Sequence, residues 1–143
     1  MEFKYQADYN NLSQSCPPTD YNAREIDPVF RWVFETIVDE RNFKSQYHKK
    51  PKRFLNNDDV VKCNALALSM FNTLEGSLTR FNELKNDMGD NVFQTLGTKI
   101  AQGKISITDG VNGKIERHGH FNHHPSKKAN HHAVFIIRDD IAL

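Results

Sequence analysis

The chain has 143 residues, 38% of them hydrophobic and 26% charged, a composition that fits one folded domain and excludes a disordered chain. Nineteen basic and eighteen acidic residues leave a formal charge of +1, so no global charge directs the protein to nucleic acid or to a membrane. No apolar stretch suits a membrane span or a secretory signal, and we therefore expect a cytoplasmic protein without membrane contact.

The first 26 residues predict an irregular N-terminal segment, followed by a single globular domain over residues 27–143. Residues 1–26 are rich in Asn, Ser and Asp and contain the pair Pro17–Pro18. Their four aromatic residues follow no regular period. These aromatic side chains could fix the segment either to the core or to a partner.

The chain contains two cysteines, Cys16 and Cys63. They are too few for a disulfide framework, and they lack the CxxC spacing of a metal site. We therefore expect both to be free thiols in a reducing compartment.

The segment from Asp27 to Glu40 fits either a helix or a strand. A helix would use Asp27 as its N-cap, with Pro28 in the first turn. A strand would suit the aromatic and β-branched residues, and we favour it because apolar residues would surround a helix on all sides.

The next segment is densely charged and contains a proline, which predicts a loop or an edge segment. Residues 64–71 then predict a buried strand or the end of a helix.

The clearest predicted element is a helix over about residues 72–86. Asn72 and Glu75 fit a capping box, and leucines with one phenylalanine recur at helical spacing behind them. A turn or hairpin is predicted near residues 108–114, and the apolar run 134–137 predicts a central strand. The elements together predict an α+β fold, in which a small, mainly antiparallel sheet packs against this one principal helix.

Six of the seven histidines lie between residues 118 and 132. An extended HxH pair directs both rings to one face, and three imidazoles can hold zinc or another transition metal. The candidate metal ligands are His118, His120 and His123. The segment contains no HExxH pair, and it offers no nearby carboxylate that could orient a ring.

The same histidines could instead carry acid–base catalysis. Imidazole titrates near neutral pH, and two positioned rings can move a proton in the hydrolysis of a phosphodiester or a nucleotide. The candidate catalytic residues are His118, His120 and His124.

A second cluster is basic and lies between residues 44 and 54, with aromatic residues interleaved. Basic side chains bind phosphates by charge, and a neighbouring ring can stack on a base. If this cluster folds beside the histidine segment, the two form one positive surface; the alternative is a solvated charged loop. The candidate ligand-binding residues are Lys49, Lys50, Lys52, Arg53, Lys127 and Lys128.

The sequence supports three functional hypotheses. The first is a binding module for a phosphate-bearing ligand, either a nucleic acid or a nucleotide. The second is a histidine-dependent hydrolase, with a metal such as zinc as one option. The third is a non-enzymatic accessory protein that docks a protein partner through residues 1–26.

Overall fold

A computed structural model describes all residues from 1 to 143 and confirms the α+β class, with six α-helices and one six-stranded antiparallel sheet. The strands are Ile26–Val33 (β1), Leu68–Phe71 (β2), Lys99–Ile105 (β3), Gly110–Asn112 (β4), His120–Pro125 (β5) and Ile136–Ile137 (β6). The α-helices are Gln6–Asn10 (α1), Gln46–Lys49 (α2), Asp59–Leu66 (α3), Leu74–Met88 (α4), Asn91–Leu96 (α5) and His131–Val134 (α6). Short 3-10 turns occupy Glu40–Phe43, Pro51–Phe54 and Arg117–Gly119.

The strand order across the sheet is β4-β5-β2-β1-β3-β6, so that β1 and β2 lie at its centre. The strand interpretation of the segment from Asp27 to Glu40 is therefore confirmed as far as Val33, and the rest of the segment lies outside the sheet. The longest pairing joins β1 to β3, with a register shift beside Pro28, whose backbone has no N–H to donate to the ladder.

Each face of the sheet carries its own apolar core, because successive side chains along a strand point to opposite faces. On one face Phe30, Phe71 and Ile100 are buried, and Leu74 and Leu78 of α4 pack against them. The larger core consists of Ile26, Val29, Val33, Phe43, Leu68, Met70, Ala101, Ile105, Phe121 and Phe135.

The principal helix begins one residue later than the capping pattern predicts. Thr73, not Asn72, is the N-cap: its Oγ1 accepts a hydrogen bond from the backbone N–H of Gly76. The helix ends at Gly89, whose φ of +64° lies in the region that favours glycine. With 15 residues α4 is the longest helix, and no helix has the length and apolar character needed to cross a membrane.

The N-terminal segment contributes side chains to the interior. Tyr5 and Tyr9 are buried and form an apolar cluster with Leu66 of α3. Phe3 forms an isolated β-bridge with Ser126, just after β5. Phe3 also packs against this cluster, and Tyr21 contacts His124 of β5, so all four aromatic side chains pack within the chain.

The C-terminal apolar run does not form the central strand that the sequence predicts. Residues His131–Val134 form α6, and only Ile136–Ile137 pair with β3, at the edge of the sheet. Val134 is 39% exposed and Ile136 71%, whereas Phe135 is buried. A short apolar run does not specify its place in a sheet, and here a single aromatic ring enters the core.

The turn predicted near residues 108–114 is present, but it does not close a hairpin. The carboxylate of Asp109 accepts a hydrogen bond from the backbone N–H of Ser106. The chain then leaves β3, and β4 pairs with β5 at the opposite edge of the sheet. A turn dipeptide indicates where the chain reverses direction, but it does not determine which strand the following residues pair with.

The charged segment after β1 forms short helical turns, not the loop or edge segment that was expected. Its central turn, α2, is capped by Ser45, whose hydroxyl accepts a hydrogen bond from the backbone N–H of His48. Asn42 lies inside this segment and is buried. The segment therefore has a defined backbone.

The prediction of two free thiols is wrong, because Cys16 and Cys63 form a disulfide. The bond joins the N-terminal segment to α3 across a sequence separation of 47 residues. Two isolated cysteines at this separation give no pairing signal in the sequence. The fold brings their Cα atoms to 5.8 Å, a separation that a disulfide can bridge.

Candidate functional site

A cleft of about 640 Å³ opens where the centre of the sheet meets α4 and the turns over residues 41–53. Strand β1 supplies Arg31 and Trp32, β2 supplies Ser69, and β5 supplies His120. Helix α4 forms another wall of the cleft, and the loop before β5 closes the remaining side. Separate parts of the chain thus meet around one cavity.

Cationic side chains are concentrated in this cleft. Six of them line it, against two carboxylates, those of Glu83 and Glu116. Arg31, Lys49 and Arg53 take part in none of the ion pairs of the chain. The cleft is therefore positive, although the whole chain is almost neutral. The six are Arg31, Arg41, Lys49, Arg53, Arg80 and Arg117.

Arg31 lies in the middle of β1 and is only 8% exposed. Its Nε donates to the backbone carbonyl of Asn42 at 2.7 Å, and its Nη1 donates to that of Ser69 at 2.7 Å. The remaining nitrogen, Nη2, has no acceptor in the protein. Burial lowers the pKa of Arg31 to about 10, so the guanidinium stays charged at neutral pH. A buried cation without a carboxylate partner favours the binding of an anion.

Aromatic rings line the cleft beside these cations. The guanidinium carbon of Arg41 lies 3.8 Å from the ring centre of Phe34, and Lys49 Nζ lies 5.9 Å from the same ring. Trp32 lies at a ring-centre distance of 5.0 Å from Phe71. Burial, and then the nearby charges of Arg31 and Arg41, lower the pKa of Lys49 to about 8.

On one side of the cleft, the carboxylate of Glu83 in α4 lies close to three other side chains. Its carboxylate lies 3.1 Å from Arg80, 3.5 Å from Arg117 and 3.3 Å from His118 Nε2. The pKa of Glu83 is lowered, chiefly by the hydrogen bond from Arg80. The carboxylate therefore stays ionised; it accepts a hydrogen bond from Arg80 but none from His118 Nε2.

The loop before β5 is pressed against the start of α4. His118 has φ +64° and ψ 13°, a left-handed conformation that is uncommon for residues other than glycine, and Gly119 has φ +72°. A Cβ at Gly76 would overlap the carbonyl oxygen of His118. Glycine at position 76 therefore permits the close approach that places His118 in the cleft.

Ser69 and His120 form a hydrogen-bonded pair in the cleft, between the hydroxyl and Nε2. Burial lowers the pKa of His120, which makes the neutral ring the main form at pH 7. A neutral imidazole beside a hydroxyl can accept its proton. Arg31 donates a hydrogen bond to the backbone carbonyl of the same serine.

The other predicted histidines lie outside the cleft. His123 is fully buried: its Nδ1 is 2.7 Å from the Asn112 side chain, and its Nε2 is 3.1 Å from His131 Nε2. His124 is buried beside Tyr9, with 2.7 Å between its Nδ1 and the hydroxyl. Burial lowers the pKa of His124 to about 4 and that of His131 to about 3, so both rings are neutral.

The cleft brings together part of each predicted site. Among the candidate catalytic residues it contains His118 and His120 but not His124. The candidate metal ligands are divided, because His123 lies outside it with both ring nitrogens occupied. Of the candidate phosphate-binding residues it contains Lys49 and Arg53, whereas the exposed side chains of Lys50, Lys52, Lys127 and Lys128 lie elsewhere.

Sequence reasoning missed most of the arginines of the cleft and Ser69. Arg80 and Arg117 lie outside the two clusters that it selected, so density of charge does not identify them. Arg31 did carry a signal: it is a charged residue within the apolar run of a predicted strand, and charges are rarely fully buried without a reason. Trp32 is half-buried and lines the cleft.

Comparison with known proteins does not assign a function to this site. No family model matches the chain, and no curated protein and no solved structure matches it either. A function for the cleft has to be inferred from the chemistry of the residues that line it.

Replacing Gly76 with alanine tests how the loop is held. In most helices this change stabilises by about 0.5–1 kcal/mol. Here we expect a loss of about 1–3 kcal/mol in the free energy of unfolding, because the new methyl group overlaps the His118 carbonyl. Urea denaturation measures the loss, and Thr79→Ala, at an exposed position of the same helix, is the matched control. A stabilised Gly76→Ala variant would contradict the described contact.

Proposed function

We propose that the protein binds a phosphate-bearing ligand of nucleotide size in the cleft. The observation that carries this proposal is the convergence of six cationic side chains on one cavity of a nearly neutral chain. Arg31 supports it most directly, since this buried guanidinium keeps one free nitrogen and has no carboxylate partner. Phosphate oxygens are strong acceptors for guanidinium donors.

The dimensions of the cleft favour a nucleotide over a nucleic-acid chain. A volume of about 640 Å³ falls within the range of sites for small ligands. The aromatic rings of Trp32 and Phe34 offer faces for a base or a sugar beside the cations. The exposed lysines that a longer polyanion would use, such as Lys127 and Lys128, do not line the cavity.

Neutralising one cation of the cleft tests the proposal. Arg53→Gln should weaken the binding of nucleoside diphosphates about 10- to 100-fold, which corresponds to one lost charged hydrogen bond of about 1.5–3 kcal/mol. Lys52→Gln is the matched control, since it removes the same charge from the same turn outside the cleft. Isothermal titration calorimetry with the diphosphates of the four common nucleosides measures both.

Two further ligands distinguish the outcomes of this titration. The unphosphorylated nucleosides should bind much more weakly than the diphosphates. A single-stranded oligonucleotide that binds tightly, with equal losses for Arg53→Gln and Lys52→Gln, would identify a nucleic-acid surface instead. The absence of binding by every diphosphate would reject the proposal.

The charge of Lys49 predicts a pH dependence. Because its pKa is lowered to about 8, the ammonium is largely charged at pH 7 and largely neutral at pH 9.5. The affinity for a nucleoside diphosphate should therefore fall about tenfold between these pH values, after the phosphate itself has finished ionising near pH 6. Lys49→Arg keeps the charge and should flatten the profile. An unchanged pH dependence in Lys49→Arg would exclude Lys49 as its source.

A second candidate function is hydrolysis of a phosphate ester in the same cleft, by a histidine-dependent mechanism. The observation that favours it is the pairing of Ser69 with His120 in a cleft that several arginines line. His120 would accept the proton of the attacking hydroxyl, from Ser69 or from a water molecule. The neighbouring arginines would stabilise the charge that develops on the phosphoryl oxygens.

Turnover assays separate this function from binding alone. If the protein hydrolyses nucleotides, His120→Ala should lower the rate about 10²- to 10⁴-fold while binding is retained. An equal loss in Ser69→Ala would identify its hydroxyl, and not water, as the nucleophile. His48→Ala is the control, because that ring pairs with Asp8 outside the cleft. Product chromatography measures the rate. Binding without any turnover in the unaltered protein would leave the binding function alone.

A further inference from the structure

A second cluster of potential metal ligands lies outside the cleft, at the disulfide. The sulfurs of Cys16 and Cys63 and one ring nitrogen of His124 all lie within 4.8 Å of one another. The three residues come from the N-terminal segment, from α3 and from β5, so tertiary folding brings them together. No other group of three such side chains is found in the chain, and this one shares no member with the metal set predicted from sequence.

The ring of His124 has one nitrogen without a hydrogen-bond partner. Its Nδ1 is hydrogen-bonded to the Tyr9 hydroxyl at 2.7 Å, while its Nε2 is buried and has no partner. A tautomer that carries its proton on Nδ1 donates to Tyr9 and leaves a lone pair on Nε2. This is the arrangement of a metal-binding histidine, whose second nitrogen is fixed by a hydrogen bond.

The chemistry of the donors points to zinc. Two cysteine thiolates and one imidazole form a known type of zinc ligand set that leaves the fourth position open. Tetrahedral zinc at about 2.3 Å from sulfur and about 2.0–2.1 Å from nitrogen holds its ligands roughly 3.4–3.8 Å apart. The three ligand atoms are already close enough that side-chain rotations suffice once the sulfurs separate.

We propose that reduction of the Cys16–Cys63 disulfide creates a zinc site with His124 as its third ligand. A dithiol reductant transfers two electrons and two protons to the disulfide, giving two cysteine thiols and the oxidised, disulfide form of the reductant. Zinc then binds both sulfurs and His124, and two protons leave. The N-terminal segment is thereby tied to α3 by a disulfide under oxidising conditions and by zinc under reducing ones. This inference does not depend on the function proposed for the cleft.

The first experiment compares the oxidised and the reduced full-length chain. The protein is reduced with a phosphine, desalted without oxygen and mixed with one equivalent of zinc, and native mass spectrometry measures the bound metal. We expect one zinc per reduced chain, with loss of two titratable thiols, and none per oxidised chain. Equal zinc binding by both forms, or none by the reduced form, would overturn the proposal.

Variants then test the ligands. His124→Ala should weaken zinc binding by the reduced chain at least tenfold, and Cys16→Ser/Cys63→Ser should abolish it. His48→Ala, an exposed histidine elsewhere, should leave it unchanged. Circular dichroism establishes that each variant is folded.

X-ray absorption spectroscopy on the unaltered protein keeps the proposal falsifiable if the variants do not fold. The reduced, zinc-loaded chain should give two sulfur ligands at about 2.3 Å and an imidazole nitrogen at about 2.0–2.1 Å. A spectrum with only nitrogen and oxygen ligands would place the metal on other histidines and overturn the proposal.

Discussion

The arrangement of the cleft depends on one buried charge, the guanidinium of Arg31 in the central strand β1. Its two hydrogen bonds reach the carbonyls of Asn42 and Ser69, which lie in the turns after β1 and in β2. The side chain of Asn42 in turn accepts from the Phe34 N–H and donates to the carbonyls of Thr36 and Ile37. One arginine thus joins the sheet to the segment that carries Lys49 and Arg53.

Burying a guanidinium without a carboxylate carries a large desolvation cost, and two carbonyl acceptors offset only part of it. A bound anion would supply the missing charge. The opposite side of the cleft shows the contrast, because Arg80 and Arg117 there share the carboxylate of Glu83. The cleft therefore contains two arginines that are paired with a carboxylate and other cations that are unpaired. The unpaired cations remain available to a ligand.

Features of the fold that arise from local interactions could be predicted from the sequence, whereas features that arise from tertiary folding could not. Local patterns identified β1, the principal helix and the α+β class, because alternation, helical spacing and capping act over a few residues. The disulfide, the edge position of β6 and the partner of β4 depend on tertiary folding, which short patterns do not encode. The N-terminal segment illustrates the limit: its aromatic residues were noted, but burial of Tyr5 and Tyr9 makes it part of the core, so removing it would remove core contacts.

For the same reason, only part of the candidate site could be predicted from the sequence. The histidine cluster and the basic cluster each supplied two residues of the cleft, since dense motifs are conspicuous in a sequence. Their other members point elsewhere, because β5 buries His123 and His124 whereas the loop before it carries His118 into the cleft. The arginines came from unrelated segments, and only the fold brings them to one place.

We propose that the cleft around Arg31 is a phosphate site. A crystal structure of the protein with a bound nucleoside diphosphate tests it most directly. We expect phosphate oxygens within hydrogen-bonding distance of Arg31 Nη2, with Arg53 and Lys49 among the other contacts. A diphosphate bound at Lys127 and Lys128, with the cleft free of it, would rule this out.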